Sequence, residues 1–149
     1  MNFDKFTIKA QEVVQEAANG AQRGGQQTIE PIHFLHAMIE KAQDVVGFLL
    51  QKQGVNVQHI AQVTESEISH LPRVSGGNGQ SYLSNDANQV VMRAEALAQE
   101  MGDEYVSVET FFLALLDVNS TASRILKDAG LTKQNVTAAI RELRQGKNV

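Results

Sequence analysis

The sequence predicts an all-α domain of eight helices, built as two tandem four-helix repeats packed about a pseudo-twofold axis. Three observations predict it: the chain repeats itself, its apolar residues recur at helical spacing, and helix-capping residues stand at equivalent places in the two copies. Sliding the chain so that residue 10 meets residue 87, an offset of 77, superposes Ala10, Val13, Val14, Ala17, Ala21, Gln22 and Gly25 on Ala87, Val90, Val91, Ala94, Ala98, Gln99 and Gly102. Phe34 and Ala37 then meet Phe111 and Ala114. After a one-residue deletion, Leu50, Gly54 and Gln58 meet Leu126, Gly130 and Gln134.

The first helix of copy one runs from about Ile8 to Arg23, with Thr7 as its N-cap; Ser84 holds the same place in copy two. Gly24-Gly25 and Gly102 end these helices, because glycine tolerates the left-handed C-terminal cap. The second helix opens at Glu30-Pro31, where proline suits the first helical position, and Ser107 is the matching cap. It carries Phe34, Leu35, Met38 and Ile39, or Phe111, Phe112, Leu115 and Leu116. A short third helix holds Val46, Leu49 and Leu50 before Gly54; its twin holds Ile125 and Leu126 before Gly130. The fourth follows Asn56 or Thr132 and ends near Leu71 or Leu143. Repeat one therefore spans about 4–71, a linker about 72–82 and repeat two about 83–146, all within a single domain over 1–149. The run Ser75-Gly76-Gly77-Asn78-Gly79 reads as a flexible linker. Neither copy has enough apolar residues to cover its own helix faces, so the two must stack.

Composition removes several classes of function. With no cysteine there is no disulfide framework, thiol nucleophile or thiolate zinc site, which fits a reducing cytoplasmic setting. The net charge of −4, divided evenly between the halves, disfavours nucleic acid. No apolar run is long enough for a membrane span. The glycine run lacks the lysine and the preceding strand of a phosphate loop, and no Gly-x-Ser-x-Gly elbow occurs. His33 and His36 share a helix face, but their twins are Thr110 and Leu113, so a duplicated metal site is not expected; His33 is expected to serve the helix N-terminus and His36 to be half-buried. Glu100, Asp103 and Glu104 read as a solvated turn and Glu109 as a first-turn acid that offsets the helix dipole; an acidic rim beside apolar residues also suits recognition of polypeptide.

Four segments carry a family resemblance: Phe3-Asp4-Lys5-Phe6-Thr7, Ile29-Glu30-Pro31-Ile32-His33, Gly102 through Glu109, and Leu126-Lys127-Asp128-Ala129-Gly130. The chain resembles the duplicated Clp N-terminal domain over essentially its whole length. Glu30-Pro31 and the segment from Leu71 to Gly76 point to the ClpB branch. The resemblance implies a non-catalytic, monomeric, cytoplasmic domain of a homohexameric AAA+ disaggregase that threads unfolded or aggregated polypeptides and works with a DnaK-type chaperone system. It also implies that ATP and magnesium are used by modules outside this chain, which itself needs no cofactor. Substrate binding in the family maps onto Thr7, Asp103 and Glu109, beside an apolar groove that includes Leu97. Arg93 and Thr110 depart from the groove's aliphatic pattern. The alternative implied by the ClpA and ClpC branches is docking of a folded adaptor.

Overall fold

A computed structural model describes residues 2–74 and 80–145. Its helices are α1 (Ile8–Arg23), α2 (Pro31–Lys41), α3 (Gln43–Lys52) and α4 (Val57–Ser69) in copy one, and α5 (Asn85–Glu100), α6 (Val108–Asp117), α7 (Thr121–Asp128) and α8 (Lys133–Arg144) in copy two. Two-residue strands, β1 (Thr28–Ile29) and β2 (Tyr82–Leu83), pair in parallel. The run Ser75 to Gly79 lies outside the described residues.

The caps form as the repeat requires. Thr7 and Ser84 accept hydrogen bonds from the Ala10 and Ala87 amides, Ser107 from Thr110, Asn56 from His59 and Thr132 from Asn135. Each satisfies one of the orphan donors of a helix N-terminus. Gly54 and Gly130 take φ of 73° and 103°, and the next residue's amide returns to the carbonyl of Leu50 or Leu126. A side chain at either glycine would be strained in that left-handed turn.

Packing is reciprocal between the copies. The Leu83–Ile29 pairing joins the residue before the α5 cap to the residue before the α2 cap. Its twin is the isolated parallel bridge of Phe6 with Val106, which joins the residue before the α1 cap to the residue before the α6 cap. Each copy thus lends its entry segment to the other, as a pseudo-twofold demands. Phe34 and Phe111, which are twins, meet edge to face at 4.9 Å between ring centroids, so they sit near that axis. Phe6 stacks on Phe111 in the same manner at 5.4 Å. Around them α2 and α6 are buried on nearly every face, while the other helices bury one stripe.

These strands are absent from the helical reading of the sequence. Two residues are too short to show a period-2 pattern, and their pairing is set by the other copy. Pro72 to Val74 and Gln80 to Leu83 are also tied down at points. The Val74 amide donates to the Gly25 carbonyl, and the Ser81 hydroxyl donates to the Gln26 carbonyl.

Candidate functional site

The bridge between Phe6 and Val106 builds the site. It sets the Thr7 amide 2.9 Å from the Val106 carbonyl and the Val106 amide 2.7 Å from the Lys5 carbonyl. The start of α1 is therefore stitched to the turn that joins α5 to α6. A cleft here is lined by Lys5, Glu95, Ala98, Asp103, Glu104 and Val106. Ile8, 79% exposed, and Tyr105, 41% exposed, follow and precede the two stitched residues. Both of these apolar side chains are exposed at the joined segments, and the exposed carboxylates Glu95 and Glu104 line the cleft.

Asp103 and Glu109 reach this corner in a different way from the solvated turn acid and the first-turn helix acid that the sequence predicts. Both are buried, and both are held by Arg144 at the end of α8. The guanidinium Nη1 lies 3.1 and 2.9 Å from the two Asp103 carboxylate oxygens, and Nε donates to Glu109 Oε2 at 2.8 Å. Nη2 donates to the Ser107 hydroxyl at 2.9 Å and the Thr110 hydroxyl at 3.2 Å. The side chains of Arg144 and Asp103 are 9% and 0% exposed. Five donors in a rigid fork meet four acceptor groups, an arrangement lysine could not reproduce.

Leu97 is 2% exposed and belongs to the core rather than to an open groove. Thr110 departs from the aliphatic pattern for a physical reason: its hydroxyl is fully buried and accepts from Arg144. Arg93 is occupied by Asp117 at 2.7 Å. Thr7, Asp103 and Glu109 thus converge on one corner, with Thr7 half-buried at its surface and the two carboxylates beneath, while Leu97 lies in the core. Sequence reasoning missed Arg144. The available signal was its twin, Ile68: a charge standing where the repeat has an apolar residue.

Copy one fills the twin positions with a neutral pair. Gln26 and His33 replace Asp103 and Thr110, and Glu30 replaces Ser107 as the helix cap. The Glu30 amide donates to His33 Nδ1 at 2.9 Å, so Nδ1 carries no proton; Nε2 is then the protonated nitrogen and faces Gln26 Oε1 at 3.3 Å. A second proton would set two donors against each other. Burial pushes the His33 pKa down to about 4, only partly offset by the Glu30 carboxylate, with His36 pushing it further down.

The unfolded chain takes up this proton near 6.5, so stability is complete above that pH and falls as the pH drops toward 4. The loss from this group is at most about 3 kcal/mol. Urea unfolding between pH 7 and 4.5 should show it, with a shallower slope in His33→Gln. An unchanged slope in that variant would contradict the reading.

The sequence profile of the Clp repeat (R) N-terminal domain matches residues 5–129. The chain belongs to this family. Over all 149 residues, this Clp N-terminal domain is 51% identical to the chaperone protein ClpB of Bacteroides thetaiotaomicron, and spans 17% of that protein's length. Its fold is similar to the Hsp104 N-terminal domain from Candida albicans, with a TM-score of 0.85 at 23% identity, covering 97% of this chain and 95% of that one. It is also similar to a ClpV N-domain solved in complex with a VipB peptide, with a TM-score of 0.77 at 17% identity, covering 93% and 86%. At those identities the likeness is one of fold. Among the described residues, no helix of the Clp N-terminal domain is long and apolar enough to cross a membrane.

Proposed function

We propose that this chain is the substrate-engaging N-terminal domain of a ClpB-type, ATP-dependent disaggregase. It binds unfolded or aggregated polypeptide weakly and passes it to ATPase modules of a homohexamer working with a DnaK-type system in the cytoplasm. The observation that carries the reading is the Phe6–Val106 bridge, which joins the start of α1, where Ile8 is exposed, to the turn bearing exposed Tyr105, next to a cleft lined by Glu95 and Glu104. An apolar surface with an acidic border suits basic, apolar segments of an extended chain. The ClpV N-domain of the same fold, solved with a VipB peptide, adds support.

Within this reading Thr7 is at the surface, while Asp103 and Glu109 act by holding the corner through Arg144. A partner that must be released for threading is held loosely, so we expect micromolar or weaker binding, no tighter than about −8 kcal/mol. Binding should weaken with salt.

The test is titration of a labelled unfolded protein against the parent, Thr7→Ala, Ile8→Ser, Asp103→Ala and Glu109→Ala, each checked for folding. Thr7→Ala and Ile8→Ser should weaken binding while leaving the fold intact. Parent-like binding by all the folded variants would show that the corner is not the site. Indifference to unfolded chains with capture of a folded ClpA- or ClpC-type adaptor would replace this reading with adaptor docking.

A further inference from the structure

A second cluster lies in copy one, on the cleft between α1, α2 and α4 that Glu16, Arg23, His33, His36 and Glu65 line. His36 Nε2 stands 3.8 Å from Glu40 Oε1, one turn along α2, and 3.9 Å from Glu65 Oε1 on α4. One donor atom from each of the three residues falls within 4.8 Å of the other two. His36 is half-buried on a packed helix, whereas both glutamates are exposed and free to rotate.

The duplication supplies an internal comparison. The twins of Glu16, His36, Glu40 and Glu65 are Arg93, Leu113, Asp117 and Arg141. In copy two Asp117 is neutralised by Arg93 at 2.7 Å and faces Lys133 at 3.8 Å, while Leu113 is buried. In copy one the arginine position is Glu16, whose carboxylate is taken by Arg23 at 2.7 Å. That Arg23 hydrogen bond is the main reason the Glu16 pKa is lowered, so Glu16 stays ionised beside the cleft. Among the described residues, the ion-pair partner of both Glu40 and Glu65 is the single His36 imidazole. Where copy two supplies fixed cations, copy one gathers carboxylates around a nitrogen lone-pair donor.

We propose that His36, Glu40 and Glu65 form a binding site for a divalent transition-metal ion of the zinc type, clamping α2 to α4. One imidazole nitrogen and two carboxylate oxygens are suitable zinc ligands at about 2.0–2.2 Å, which sets tetrahedral ligand atoms about 3.3 Å apart. Rotation of the two exposed glutamates closes the remaining gaps, about 0.5 Å to His36 and at most about 1.5 Å between the two carboxylates. Water completes the coordination from the open side of the cleft. The nitrogen donor favours zinc over magnesium, which prefers an all-oxygen octahedron. The site is separate from the corner around Thr7 and independent of the function assigned there.

Zinc chloride titrated into the full chain by calorimetry, in a non-chelating buffer at pH 7.5, tests the site. The expected result is one saturable equivalent, a raised Tm in the presence of zinc, and no response to magnesium chloride. His36→Ala and Glu65→Gln should each weaken zinc binding by about tenfold or more, as expected for loss of one ligand in three. His59→Ala and His70→Ala should bind as the parent does. Glu65→Gln alters an exposed side chain and keeps the test valid if His36→Ala disturbs the fold. Absence of saturable zinc uptake overturns the site, as does uptake undiminished in the folded His36 or Glu65 variant.

Discussion

Replacing Arg144 by alanine should destabilise the domain by about 3–5 kcal/mol, the range for removing one partner of a buried ion pair. The mechanism is desolvation rather than lost attraction. Asp103 and Glu109 remain beneath α8 with no guanidinium between them, and the Ser107 and Thr110 hydroxyls lose a donor. A control separates this from simple loss of packing. Copy one places Gln26, Ile32 and Ile68 at the positions of Asp103, Glu109 and Arg144, so the triple substitution Asp103→Gln, Glu109→Ile, Arg144→Ile installs a set the fold already tolerates. Removing a whole buried ionic cluster is often neutral, so the triple variant should recover most of the loss. Equilibrium urea unfolding of both variants is the measurement. A loss below about 1 kcal/mol for Arg144→Ala would show that the cluster is solvated in solution.

The second large effect lies in the core. Leu50 and Leu126 are twins, both fully buried, and each closes the third helix of its copy just before a left-handed glycine. Either one changed to alanine should cost about 2–5 kcal/mol, through lost transfer energy plus an unfilled cavity. The two losses should be of similar size, because the sites are equivalent by the repeat. Denaturant unfolding of each variant tests this; losses below about half a kcal/mol at both would mean that the third helices do not face the core.

Leu50 and Leu126 also mark how far the sequence is readable. Burial at both follows from periodicity and from the copy-to-copy match alone, as do the caps at Thr7, Ser84, Ser107, Asn56 and Thr132. These are local matters: a cap answers to amides two or three residues away, and an apolar stripe to neighbours three or four away. The convergence of Thr7 with the 103–109 segment also has a basis in sequence, because a duplicated unit must bury faces that neither copy covers alone. Family likeness likewise rests on local motifs kept in order.

What the sequence by itself determined, then, is the eight helices, their duplication and the caps and glycines that bound most of them, because each depends on side chains close along the chain. Only the tertiary structure decided which charges are buried and which are free. Asp103 and Glu109 look like ordinary helix-end acids until Arg144 arrives from another helix, 41 and 35 residues away, and removes them from solvent. The same holds for Glu65, which meets His36 only because α4 packs on α2. Electrostatic character depends on distance and burial in space, and a linear pattern of charges carries neither.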